Sequence, residues 1–262
     1  MADNRIAYGM LKKAGVDTEG MSPKEAWEKV EELGLAPSIS KYGKKKYKKS
    51  KEAKKENPEH TADFDYIPKT GDEIAGVMPG EPMTFEQADG KRVNPYYGNP
   101  EFEGYEKNCP VCVVAFEARV RGYNVRALPY SEKNHRMKEL EKQTNLVFLN
   151  KETSEPPEYI ISPKNVNPHK FVTDLMREGQ RYTIEWTWKD EIDEGHVINA
   201  FKKNGKSVFF NSQSGEIISN SEFKSMCETS IEGPLEVLRV DNCDLNPMYI
   251  NYIVKGVKSG GK

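Results

Sequence analysis

Long apolar runs are missing from this 262-residue chain. No stretch of about 18 consecutive apolar residues occurs, so no helical membrane span is expected. The first residues, Met1-Ala2-Asp3-Asn4-Arg5, open no apolar segment of the kind a secretory signal contains, which predicts a chain that stays in the cytoplasm or in a particle assembled there. Cysteine is scarce: four residues, too few for a disulfide scaffold. Histidine is as scarce, so any cysteine–histidine chemistry must be drawn from Cys109, Cys112, Cys227 and Cys243 and from His60, His135, His169 and His196. Cys227 and Cys243 do not supply the second close ligand pair that a structural zinc site needs, and no metal or cofactor is expected.

The net charge of −2 hides an asymmetry. Residues 41–55 hold nine lysines and one glutamate, a local +8 that leaves −10 for the rest of the chain. A basic arm on an acidic body suits a nucleic acid or another anionic partner through Lys41–Lys55, but a lysine run needs no partner to be soluble, and a solvated, disordered linker is the simpler reading. Composition divides the chain into a short helical element at 1–35, a lysine-rich linker at 36–80 and a larger domain at 81–260.

Local signals place the elements. Ile6, Met10 and Leu11 form a small stripe, and Ser22-Pro23-Lys24-Glu25 reads as a capping box with proline at the first helical position. Thr84 to Ala88 reads as a short capped helix. The strongest helix starts at Cys109-Pro110 and ends at Gly122, with Val113, Val114, Phe116, Ala118 and Val120 inward and Glu117, Arg119 and Arg121 outward. Asn124–Leu128 reads as a strand, and 131–142 and 170–178 as helices. Tyr182, Ile184, Trp186 and Trp188 alternate with polar neighbours, the period of a half-buried strand. A second strand follows at 195–201, then the hairpin turn Asn204-Gly205 and a return over Ser207 to Phe210. A further strand pair is expected near Leu235–Val240 and Ile250–Val257.

A helix start is where a thiolate is best stabilised, because unpaired N–H groups and the helix dipole favour negative charge there. Cys109 and Cys112 both qualify. Cys109-Pro110-Val111-Cys112 also has the form of a redox pair, although Glu101 to Asn108 makes a poor buried strand ahead of it. A nucleophile needs a base. His196 opens a strand directly after Gly195, whereas His60, His135 and His169 sit in polar stretches. With a two-residue turn at Asn204-Gly205, Lys203 opposes Lys206, Ile198 opposes Asn211 and His196 opposes Gln213. A regular hairpin therefore sends His196, Asn211 and Gln213 to one face and brings Asn211 beside the imidazole. Asn108 and Gln87 are the side-chain candidates for an oxyanion donor.

Asn108-Cys109-Pro110-Val111-Cys112-Val113-Val114-Ala115-Phe116-Glu117-Ala118-Arg119, with Arg121 to Val125, resembles the nucleophile segment of papain-fold toxin domains, including versions attached to phage minor head proteins. Gly195-His196-Val197-Ile198-Asn199-Ala200 and Phe209-Phe210-Asn211-Ser212-Gln213-Ser214-Gly215 are similar to their histidine strand and Asp-Pro-Gln-x-Gly segment. Asn94-Pro95-Tyr96-Tyr97 is similar to an Asn-Pro-x-Tyr element of the phage-associated forms. The resemblance covers roughly residues 83–257. It implies an α+β papain-like fold, a triad of Cys109, His196 and Asn211, and glutamine deamidation or peptide cleavage of a protein substrate through a thioester. Cys112, Gln213 and Asn108 stand as alternates. It also implies phage head or portal partners and a place in the host cytoplasm or virion. Asn211 and Ser212 depart from the family's Asp and Pro. A non-catalytic head component with a degenerate papain-like domain and a basic arm is the competing expectation.

Overall fold

The computed structural model describes residues 73–141, 143–189 and 194–257, with isolated positions between Leu11 and Leu33. The Lys41–Lys55 arm, His60, Ile6 and Met10 lie outside the described residues. Within 11–33 the expected capping box is present: the Ser22 N–H donates to Glu25 Oε2 (2.8 Å) and the Glu25 N–H to Ser22 Oγ (3.3 Å). Among the described residues no helix is long and apolar enough to cross a membrane.

The larger domain begins earlier than residue 81. Ile74 is buried in the core, and the Ala75 N–H donates to Asn251 Oδ1 (2.7 Å). The Gly80 N–H donates to the carbonyl of Gly122, whose φ of +98° closes the long helix and whose Cβ, were it alanine, would sit 2.3 Å from Gly80 O. A linker composition at 73–80 therefore conceals a packed strap.

Helix α1 (Phe85–Ala88) carries the Thr84–Gln87 capping box, and α2 (Gly90–Val93) follows. Helix α3 (Cys109–Val120) starts after Asn108 with Pro110 in its first turn. Strand β1 (Val125–Ala127), helix α4 (His135–Leu140), a 3₁₀ turn (Thr144–Val147), β2 (Phe148–Asn150), β3 (Ile160–Ile161) and α5 (Pro168–Leu175) lead into the sheet. The sheet strands are β4 (Arg181–Trp188), β5 (Gly195–Lys203), β6 (Lys206–Asn211), β7 (Glu216–Ile218) and β8 (Ile231–Arg239). Helix α6 (Asn220–Thr229) lies between β7 and β8, and β9 (Cys243–Leu245), α7 (Pro247–Ile253) and β10 (Val254–Gly256) finish the chain. The main sheet is antiparallel with order β3-β8-β4-β5-β6-β7, and β1–β10 and β2–β9 form two small pairs beside it.

The sheet is covered on both faces, giving an α+β three-layer arrangement. Helix α3 packs on one face with Val197, Phe210 and Leu238; helices α5 and α6 pack on the other with Ile184, Trp186, Ile198 and Phe209. Phe210 meets Phe85 at 4.7 Å and Phe116 at 4.9 Å, so one aromatic cluster ties β6 to α1 and α3. Each such pair is worth about 1 kcal/mol beyond its buried area.

Two expectations change. Residues 250–253 are helical, because Asn246 accepts from the Met248 N–H and Pro247 starts a helix whose Tyr249, Ile250 and Ile253 face the core. Glu117 and Arg119 are buried instead of facing outward. Glu117 accepts from Arg121 and from Arg181 of β4 at 2.8–2.9 Å, and Arg119 donates to the carbonyls of Gln87 and Val125. Helix α3 is a central helix, and its charged residues are its fasteners.

Candidate functional site

The fasteners act as a ruler along α3. At its C-terminal end Glu117 holds Arg181, which pairs with Phe201. One turn earlier, Asn199 Nδ2, across from Thr183, donates to Val113 O at 3.2 Å. Four helical residues rise about 6 Å. Two strand residues advance about 6.7 Å. The next step of both scales sets Cys109 over the Glu185–Val197 pair. The chemistry agrees with the ruler: the Val197 N–H donates toward the Cys109 sulfur, and among ionisable groups Glu185 and Glu141 make their charge felt there. Burial, the dominant cause, pushes this thiol up to about 12. Cys109 is nevertheless half-buried, whereas Cys112 is enclosed in the core and its Sγ–H donates to Asn108 Oδ1 (3.3 Å). Of the two neighbours, only Cys109 is open to a substrate. All four cysteines are free thiols.

The hairpin has the expected register. Lys203 pairs with Lys206 and Asn199 with Phe210, with Asn204 and Gly205 at positive φ in the turn. Continuing that register puts Asn211 opposite Ile198 and diagonal to His196, and its side chain hydrogen-bonds the ring. The imidazole lies against Trp186 (5.3 Å), its cross-strand partner, and stacks on Trp188 (6.2 Å). Its Nε2 is buried without a hydrogen-bond partner. Burial lowers the His196 pKa to about 4, and the Asn211 bond offsets this in part. Gly195 is needed ahead of it, because a Cβ there would come 2.7 Å from Trp186 O.

The structure brings His196 and Asn211 together, and it brings Cys109 to the backbone next to His196. The thiol and the imidazole are not hydrogen-bonded to each other; the ring sits on the tryptophan side of β5, and Val197 on the α3 side. A neutral buried histidine has a consequence for stability. Below its usual pKa of 6.5 the unfolded chain takes up a proton that folded His196 refuses until about pH 4. Stability from this residue is therefore lost as pH falls through that window and not further below it. Melting temperatures from pH 7 to 4 should fall more steeply in the wild-type chain than in His196→Gln.

Gln213 departs from the face assigned to it. Strand β6 ends at Asn211, whose Oδ1 accepts from the Gln213 N–H (3.2 Å), so the chain turns away. Gln213 Nε2 instead donates to Asn108 Oδ1 (3.3 Å), and Asn94 Nδ2 reaches Asn108 Oδ1 (3.3 Å), Tyr105 O (2.9 Å) and Gln213 O (3.0 Å). Asn108 Nδ2 donates to Leu128 O (3.0 Å) and Asn94 Oδ1 (3.3 Å). Asn108 is therefore saturated and cannot serve as an oxyanion donor; it fixes the start of α3. Gln87 lies at the other end of α3, where its carbonyl accepts from Arg119 and its Oε1 accepts from the Thr84 N–H. The donors left at the thiol are backbone N–H groups at the helix start and at Val197. Sequence reasoning assigned no role to Asn94, although the Asn-Pro step drew notice; its place in this network follows only from folding. His169 joins α5 to α6 through Asn220 (3.0 Å), and His135 is exposed at the start of α4. Among the described residues no group of three His, Cys, Asp or Glu could hold a metal ion.

No curated protein matches the chain. A helix-borne cysteine, a histidine at the head of the adjoining strand and an Asn at the end of the next one make up the segment between Lys107 and Glu216. That segment, residues 107–216, matches the family described as papain fold toxin 1, glutamine deamidase, and it carries the papain fold of that family.

Proposed function

We propose that this domain hydrolyses the side-chain carboxamide of glutamine in a protein substrate, through a thioester on Cys109 with His196 as base and Asn211 as its orienting partner. The observation that carries this reading is the vacant nitrogen of His196: a buried, unpartnered Nε2 on a ring braced by Asn211, one residue from the Val197 N–H that meets the Cys109 sulfur. A buried polar atom without a partner costs free energy, and on an imidazole such a nitrogen is available to receive a proton.

The resting pair is a thiol and a neutral imidazole, which is the protonation state a base needs. The reaction requires the His196 ring, which rests on the tryptophan side of β5, to reach the Cys109 sulfur; there it takes the thiol proton, and the thiolate adds to the carboxamide carbon. The oxyanion is met by backbone N–H groups at the start of α3, where the helix dipole also favours negative charge. Ammonia leaves, and water then hydrolyses the thioester to glutamate and free Cys109. Asn211 accepts from the ring without a full charge, so it orients the imidazole and stabilises imidazolium less than an aspartate would.

Ammonia release from benzyloxycarbonyl-glutaminyl-glycine tests the assignment. Wild-type protein and Cys112→Ala should release ammonia, and Cys109→Ala should not. Activity that survives in Cys109→Ala, or vanishes only in Cys112→Ala, would overturn it.

A further inference from the structure

Strands β1 and β10 set two cations against each other. Arg126 pairs directly with Lys255 across the antiparallel ladder, so both side chains project from one face. Val125, Ala127 and Val254 are buried in the core, which turns the two cations outward. Like charges at a directly opposed pair are destabilising. Among the described residues neither cation makes an ion pair. Arg126 rests on Tyr96 instead. Its guanidinium carbon is 5.4 Å from the ring centroid, and Nη1 donates to Tyr96 Oη at 3.4 Å. That long bond leaves most of the guanidinium N–H groups free for another acceptor.

Both cations line a cavity of about 210 Å3. Tyr96, Phe102 and Tyr105 supply the aromatic part of its lining. Tyr96 stacks on Phe102 at 4.3 Å and meets Tyr105 edge-on at 5.1 Å. Cofactor and small-molecule sites run from about 300 to 1,000 Å3, so this smaller cavity suits one or two side chains of a larger partner. The backbone around it is tied down. The Tyr130 N–H donates to the Gly104 carbonyl (2.9 Å), and Asn94 Nδ2 donates to the Tyr105 carbonyl (2.9 Å). Leu128 also lines the cavity, and its carbonyl accepts from Asn108 Nδ2 (3.0 Å). Asn108 directly precedes Cys109, so the cavity and the start of α3 share one hydrogen-bonded frame.

Glu101 and Glu103 are exposed and complete the charged lining. They equal the two cations in number without pairing to them. A balanced set of charges gives no general attraction for a polyanion such as a nucleic acid. It suits one carboxylate set between Arg126 and Lys255, where charge-assisted hydrogen bonds replace the repulsion of the opposed cations. The rings beside them suit an aromatic neighbour of that carboxylate, and aromatic residues with arginine are the composition of binding hot spots.

We infer that this cavity is a docking site for an acidic segment of the protein substrate, taking one Asp or Glu carboxylate between Arg126 and Lys255 and an adjacent aromatic side chain against Tyr96, Phe102 and Tyr105. It deepens the deamidase reading and rests on it only for whose segment is bound.

Fluorescein-labelled Gly-Ser nonapeptides with one glutamine, and a Glu-Phe, Gln-Phe or Lys-Phe step at successive distances from it, test the site by fluorescence anisotropy. The full chain should bind the best Glu-Phe peptide about tenfold more tightly than its Gln-Phe counterpart, and the Lys-Phe peptide most weakly. Arg126→Gln and Lys255→Gln should each erase the preference. Lys255 is exposed, so Lys255→Gln should do so with no loss of melting temperature. Lys255→Glu should turn the preference toward Lys-Phe, and Glu101→Gln with Glu103→Gln should tighten Glu-Phe binding several-fold. Equal affinity of wild type for the Glu-Phe and Gln-Phe peptides would overturn the inference. A wild-type preference for Lys-Phe would also overturn it, by making Glu101 and Glu103 the recognition groups. Displacement of the Glu-Phe peptide by an equal concentration of oligothymidylate would overturn it in favour of a nucleic-acid site. Ammonia release separates this site from the nucleophile. Where Glu-Phe peptides are deamidated, Lys255→Gln should lower kcat/KM about tenfold through KM, and an unaltered KM would overturn the inference. Where wild type deamidates none of them and the Glu-Phe preference persists, the docking site stands and the thioester reading falls.

Discussion

Cys109→Ala is expected to lower kcat for ammonia release by about ten-thousandfold or more, because no second group can form the thioester. Cys112 is three residues away but cannot substitute. It is fully enclosed, it lies one turn into the helix, and its Sγ–H is engaged by Asn108. His196→Ala should cost nearly as much, since burial holds the Cys109 thiol up at about 12 and leaves almost no thiolate without a base to accept its proton. Asn211→Ala should cost less, on the order of tenfold to a hundredfold, because it removes orientation and leaves the base. Asn211→Asp adds a full charge beside the ring and should raise the His196 pKa from about 4 toward its usual range. The acid limb of the pH–rate profile would then move upward. In all of these the melting temperature should change little compared with the loss of rate, which separates chemistry from unfolding.

The largest effect on stability is expected at Glu117, not at the site. Its side chain is fully buried and holds two arginines, Arg121 on its own helix and Arg181 on β4. Glu117→Ala leaves the part-buried Arg121 and Arg181 guanidinium groups without the carboxylate they share, and the expected loss is about 3 kcal/mol. That is a large fraction of a domain's total stability. The same change should reduce activity at temperatures where the domain is still folded. Glu117 anchors one end of the ruler, and the other end carries Cys109. Urea unfolding followed by tryptophan fluorescence measures the first effect, and ammonia release at low temperature the second. Equal stability of Glu117→Ala and wild type would show that the helix is held by its apolar face alone.

Much of this was legible before folding because the signals were local. The capping boxes at Ser22 and Thr84, the Pro110 start of the long helix, and the Asn204-Gly205 turn each need only a few consecutive residues. The turn fixed a register, and the register brought Asn211 to His196. What stayed hidden depended on which face of an element meets another. Thr183, Glu185 and Asn199 alternate with apolar residues, which ordinarily marks a solvent face. Here helix α3 covers that face: Arg181, two residues before Thr183, forms its ion pair, Asn199 its anchoring hydrogen bond, and Glu185 accepts from Tyr159. Glu117 and Arg119 misled for the same reason: a charged residue on a helix is solvent-facing only if no partner waits across the interface. Asn246-Pro247 was a legible helix start that the β-branched run after it obscured. Ser219 with Glu222 was a capping box for α6 that went unread. The Asn94–Asn108–Gln213 network joins residues more than 100 positions apart, and no local pattern announces it.

Cys109 as nucleophile with His196 as its base leaves a covalent signature. The direct test is covalent: treat the full chain with a glutamine analogue bearing a chloromethyl ketone, digest it, and locate the adduct by mass spectrometry. A single adduct on Cys109, lost in His196→Ala and retained in Cys112→Ala, is the result the account predicts. An adduct on Cys112, or labelling of Cys109 at an undiminished rate in His196→Ala, would contradict it.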